Sequence, residues 1–176
     1  FWRNIPIIQI SDCMNPHLAL IKTNPSHPKS TQAESLSEMD IILFQALLME
    51  AGSASFKAMK SGEIAEILAG LVALAYNALL ALAEQNKDLM DQSASHQTYH
   101  LLAIMRLLSG EIYQCSSGKA EAYSRLYHSC SHLATDFLNA DFDKAIRAYH
   151  EWRITNNSAD TQLGHKALDL TDYLYD

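Results

Sequence analysis

Proline is absent from residue 35 to the end of the chain: all four, Pro6, Pro16, Pro25 and Pro28, fall before it. Proline removes a helical hydrogen bond and clashes with the turn before it. The break therefore separates an irregular arm, residues 1–34, from a body, residues 35–176, that is free to be helical. Cysteine is scarce. Cys13, Cys115 and Cys130 are odd in number and scattered, which excludes a disulfide framework and fits a reducing, cytoplasmic compartment. Basic residues are outnumbered, 13 against 20 acidic, for a net charge of −7. With no Lys/Arg cluster to offset that balance, a nucleic-acid partner is excluded. A nucleotide would need metal ions to bridge the like charges. Long uncharged runs are missing as well. The longest, Ile67 to Ala83, has 17 residues and includes Gly70 and Asn77, short of the roughly 20 that span a bilayer; no membrane partner is expected. No charged-then-apolar stretch of the signal-peptide kind follows Phe1.

What remains is a chain of 176 residues, 48% hydrophobic and 19% charged, enough to bury the core of one domain. Apolar residues recur at spacings of three and four throughout the body, with no sustained alternation, which predicts an all-α fold. Ser35-Leu-Ser-Glu38 has capping-box spacing and opens a helix over 37–60. Ser61-Gly62 makes a turn, and a second helix covers 63–87. Ser93 or Ser95 caps a third over 96–114, and Ser116-Ser117-Gly118 leads into a fourth over 119–138. After a break at 139–141 come a helix over 143–152, a loop over 155–158 and a last helix over 160–174. The first two body helices echo the next two, with Met49 falling on Met105 when the turns are aligned. Two αα-hairpins packed together give a four-helix bundle, with the C-terminal helices added to it.

On the second body helix, positions 63, 66, 70, 73 and 77 lie within about 80° of one another and read Glu, Glu, Gly, Ala, Asn. On the first, Leu47, Ala51, Ala54 and Ala58 form a similar small stripe with Glu50 at its edge. Facing small stripes either close two helices tightly or leave a cavity with carboxylates at one end. They also suit a second chain, so a homo-oligomer is expected. Glu63 and Glu66 fit the positive end of a helix dipole. Alternatively Glu50, Glu63 and Glu66 supply the oxygens of a Mg²⁺ site.

The segment from Gly62-Glu-Ile-Ala-Glu66 through Tyr76-Asn-Ala-Leu79 resembles the second signature helix of the MazG-like, all-α nucleoside triphosphate pyrophosphohydrolases. Leu47-Leu-Met-Glu50 through Lys60 is similar to the helix before it, and Asp141 through Arg153 to the C-terminal stretch. The resemblance implies a helical bundle, usually oligomeric, that cleaves a nucleoside triphosphate to monophosphate and pyrophosphate with Mg²⁺ held by E-x-x-E and E-x-x-D pairs. Those four ligand positions fall here on Ala51, Ala54, Ile67 and Gly70, none with a side-chain oxygen, and Glu50 and Glu66 match acidic residues that precede them. His150 matches the C-terminal pattern and Arg153 replaces its Asn.

Arg147, His150 and Arg153 recur at three-residue steps. They either complement a helix C-terminus or, as the resemblance suggests, grip phosphates, with Tyr149 and Trp152 stacking on a base or packing in the core. His96/His100 and His128/His132, each at i, i+4, would suit zinc with or without Cys130 if two helices brought them level; a solvated face explains them equally. Three readings follow: a pyrophosphohydrolase with a rearranged Glu50, Glu63, Glu66 site; a relative that binds nucleotides or assembles without catalysis; and a helical scaffold.

Overall fold

The computed structural model describes residues 15–23, 35–92, 100–158 and 168–175, and the regular secondary structure among them is helical. Six α-helices occur there: α1 Pro16–Lys22, α2 Glu38–Ser61, α3 Ile64–Glu84, α4 Leu101–Cys115, α5 Ala120–His132 and α6 Phe142–Ser158. The all-α expectation holds. α5 is continued by a π-helical segment, Leu133–Phe137, and a 3-10 turn, Thr171–Tyr173, lies near the C-terminus.

Several boundaries move, each for a local reason. The capping box forms two residues later than expected: Ser37 Oγ accepts from the Asp40 amide (3.1 Å) and Asp40 Oδ2 from the Ser37 amide (3.2 Å). α4 starts at Leu101, where His100 Nδ1 accepts from the Ala103 amide; the candidate caps Ser93 and Ser95 lie outside the described residues. The expected loop at 155–158 is helical, because Thr155 Oγ1 bonds back to the Glu151 carbonyl (2.9 Å) and Trp152 packs on the core. Of the expected helix over 160–174, residues 159–167 lie outside the described residues. Residues 168–175 run mainly as irregular backbone, tied to the start of α6 by the Asp141 amide on Tyr173 O (2.8 Å) and the Tyr175 amide on Asn139 O (2.9 Å).

The arm is not wholly irregular. Pro16 takes the first position of α1, where its missing N–H costs nothing, and Asn15 caps the helix by accepting from the His17 amide (2.9 Å). Leu18 and Ile21 are buried against the body. His17 latches the helix down: Nε2 donates to Asp143 (2.7 Å), so in the neutral ring Nδ1 accepts from the Tyr127 hydroxyl (2.6 Å).

The bundle joins the two hairpins in a ring. α2 packs on α3 and α4, and α5 packs on α3 and α4. Both hairpin turns close on a left-handed glycine, Gly62 (φ 79°) and Gly118 (φ 71°), a conformation that costs a Cβ-bearing residue dearly. α1 and α6 cover the rest of α3, which is why that helix is apolar nearly all round. By length and composition α2 and α3 each suffice to cross a membrane, the measure that the 17-residue uncharged run alone missed; α3 is the core helix, its most apolar window 67% buried.

The small stripes of α2 and α3 close on each other within one chain. A Cβ added at Gly70 would collide with Ser55, coming within 2.9 Å of its backbone Cα. Ser55 Oγ is satisfied inside its own helix, donating to Ala51 O (2.9 Å). The stripes therefore call for no second subunit, and the physical reason given for an oligomer falls away. Gly70→Ala should destabilise the protein by about 1–3 kcal/mol through overpacking. Gly110→Ala, at an open and exposed position in α4, should stabilise it by about 0.5–1 kcal/mol. Urea unfolding of the two variants checks the opposite signs.

One charge-bearing group lies between α4 and α5. Glu111 is 7% exposed, accepts from Ser129 Oγ (2.8 Å) through one oxygen and has no partner for the other among the described residues. Burial pushes its pKa up to about 7, with Ser129 and then Arg125 opposing the rise. Cys115 and Cys130, also fully buried, share its neighbourhood, and their thiols are raised by burial and by Glu111. The folded state therefore holds a proton that the unfolded chain releases near the ordinary carboxylate value. Its contribution is fully present below that value and is lost as pH rises through 7, by up to about 3 kcal/mol. Glu111→Gln should match the parent near pH 4.5 and exceed it in stability at pH 8; a difference that stays flat with pH would contradict this.

Candidate functional site

The sequence-derived metal trio is not assembled. Ser55 lies against Gly70, and Leu47 O accepts from Asn77 Nδ2 (3.5 Å); these contacts fix the antiparallel register of α2 and α3. Glu50 thus stands about eight residues along α3 from Glu66, roughly 12 Å at the helical rise per residue. Glu63 is the residue before α3, Glu66 sits in its first turn, and both are exposed. They suit the helix dipole. No group of three His, Cys, Asp or Glu able to hold a metal ion occurs among the described residues. A Mg²⁺ held by Glu50, Glu63 and Glu66 does not fit.

The zinc alternative fares the same way. His96 lies outside the described residues. His100 is spent capping α4, His128 Nε2 meets the Met90 carbonyl (2.8 Å), and His132 faces Asp136 (3.6 Å). Glu111 opposite Ser129 sets the register of α4 and α5, which places His100 level with residues beyond the end of α5 and not with His132. Cys130 is fully buried, its thiol held protonated by that burial.

The three-step basic series also separates. Arg147 Nε bonds both carboxylate oxygens of Asp143 (3.1 Å each). His150 is 5% exposed, its Nδ1 is 2.8 Å from the Tyr76 hydroxyl, and burial lowers its pKa, so the ring is neutral and no phosphate clamp. Of the three, Arg153 alone lines an open space within the bundle. Its guanidinium lies over the Tyr76 ring, 5.6 Å from the centroid, a cation–π contact that fixes its direction.

That open space is a furrow of about 350 Å³ where α2, α3 and α6 meet. Ala51 and Ala54 of α2 and Ala73 of α3 are among its lining residues, with Leu47 and Glu50 beside them on α2. α6 adds Tyr149, Trp152, Arg153 and Asn156, at the i, i+3, i+4, i+7 spacing of one helix face. Two of the four positions where the resemblance puts metal ligands thus line the hollow as alanines. Ile67 and Gly70 are buried.

The aromatic groups are locked. Tyr76 meets Tyr149 edge to face (5.2 Å between centroids), and Tyr149 meets Trp152 (5.6 Å). Tyr76 stays protonated, burial raising its pKa against the opposing pull of Arg153. The polar groups are less settled. Asn77 is 3% exposed and lines the furrow, yet its Oδ1 has no hydrogen-bond partner among the described residues. The amide cannot turn over to hide this, because the Leu47 carbonyl accepts only from an N–H. Asn156 Nδ2 is likewise closed to solvent and unpartnered.

The spacing of Asn77 with Gly70 and Ala73 was visible in the sequence, but not its unmet acceptor. Asn156 falls in the loop expected at 155–158; the regular spacing from Tyr149 onward is the signal that places it on the helix face instead. A second hollow, about 450 Å³, lies between α2 and α4 and is lined by Met49, Gly52, Phe56 and Ile112, with Lys57 and Lys60 among its polar members. Comparison of the chain with protein-family models, with curated proteins and with solved structures yields no match.

Proposed function

We propose that the chain is a helical nucleotide-binding module whose furrow between α2, α3 and α6 takes the ligand without magnesium and without hydrolysing it. The observation that carries this reading is Asn77: a side chain 3% exposed, lining the furrow, with a free acceptor oxygen. Leaving a buried polar atom unsatisfied costs about 1–3 kcal/mol, and a ligand N–H in the furrow removes that cost once the Asn77 side chain turns toward it. Ala51, Ala54 and Ala73 leave room in the furrow for a flat ring.

The resemblance to MazG-like pyrophosphohydrolases favours a nucleotide over other small molecules. It does not favour catalysis here, because Ala51, Ala54, Ile67 and Gly70 stand where that chemistry needs oxygen ligands, and Glu50, Glu63 and Glu66 are too far apart to replace them. Calorimetry of the whole chain with a panel of nucleosides and nucleotides in EDTA should give saturable 1:1 binding. Asn77→Ala should weaken it at least tenfold with the helical circular dichroism retained. A parallel assay with Mg²⁺ and nucleoside triphosphates should release no pyrophosphate above background; steady release would reinstate the hydrolase.

A further inference from the structure

The furrow is polarised. The Glu50 carboxylate stands on its α2 wall, and Asn77 of α3 lines the same side with a buried Oδ1 that has no partner among the described residues. The Arg153 guanidinium stands on the α6 wall, and Asn156, three residues on and so on the same face, lines that side with a buried Nδ2 that has no partner among the described residues. Glu50 and Arg153 carry opposite charges in the same hollow, but no salt bridge joins them among the described residues.

We infer that the furrow selects dipolar ligands, with an N–H-bearing end toward α2 and α3 and a single anionic group toward α6. The inference rests on the nucleotide reading and narrows it to a nucleoside monophosphate in preference to a triphosphate. In such a ligand the N–H edge of the base meets Glu50 and the one phosphate meets Arg153, with Asn77 and Asn156 turning toward the two ends as the ligand enters. A triphosphate brings further negative charges to a hollow with one cation and one carboxylate, on a chain of net charge −7. Each added phosphate then adds repulsion from Glu50 with no new partner. A zwitterionic amino acid shares the dipolar pattern, with an ammonium at one end and a carboxylate at the other, so it serves as the second source of the same chemistry.

The test is calorimetry in EDTA with UMP, UTP and tryptophan as probes, on the parent chain and on Glu50→Gln and Arg153→Gln. Glu50 is exposed and Arg153 half-buried, so neither change threatens folding. UMP should bind at least tenfold more tightly than UTP. Glu50→Gln should narrow that ratio by raising UTP affinity severalfold, and Arg153→Gln should weaken UMP at least tenfold. UTP binding as tightly as UMP would overturn the polarity while leaving the nucleotide reading intact. Tryptophan binding with neither nucleotide bound would uphold the polarity and overturn the nucleotide reading. No binding by any probe would sink both.

Discussion

The near-contact of Ser55 with Gly70 governs the rest of the molecule. With no Cβ at position 70, α2 and α3 approach until the Ser55 Cα lies 2.9 Å from where that atom would be. This one contact fixes the register of the hairpin. It sets Leu47 against Asn77 and puts Glu50 well along α3 from Glu66. It also keeps Ala51, Ala54 and Ala73 in one neighbourhood. Close packing at one level opens a hollow a turn further on, because alanines cannot fill what a larger residue would. The feature that reads as a metal cleft in sequence is, in three dimensions, a tight seam followed by a shallow furrow.

α6 converts the seam into a site. Its inner face is held by the Tyr76–His150 hydrogen bond and by the aromatic series Tyr76, Tyr149 and Trp152. The His17–Asp143 and His17–Tyr127 bonds pin its first turn to α1 and α5. Held at both levels, α6 presents Arg153 and Asn156 to the furrow from a rigid support. That rigidity leaves Asn156 Nδ2 unmet beside the hollow without the helix shifting to satisfy it.

The helices were legible because their causes are local. Three-and-four spacing, the Ser-Gly turns and the confinement of proline to the arm each act within a few residues. Gly62 and Gly118 closed both hairpins where expected. The errors arise where a distant contact overrides a local cue. Thr155 to Ser158 look like a loop until Trp152 packs on the core and Thr155 spends its hydroxyl on its own helix. Glu50, Glu63 and Glu66 look convergent on single-helix wheels, which carry no information about register between helices. The buried Glu111 gives no sign in sequence, because only the packing of α5 encloses it. For the site, the alanine and asparagine stripe was visible, but its partner wall on α6 was set by contacts some seventy residues away in sequence, as the Tyr76–His150 bond illustrates.

The central claim is that Asn77 and Asn156, both lining the furrow, hold hydrogen-bonding atoms without a partner among the described residues and give them to a ligand. Side-chain amide resonances of ¹⁵N-labelled protein report on this most directly. On titration with UMP in EDTA, the Asn77 and Asn156 amide signals should move together along one saturation curve. Those of Asn139, whose amide meets the Tyr175 carbonyl elsewhere, should stay in place. Unmoved Asn77 and Asn156 signals in a sample where other resonances saturate would locate the ligand elsewhere and contradict the account.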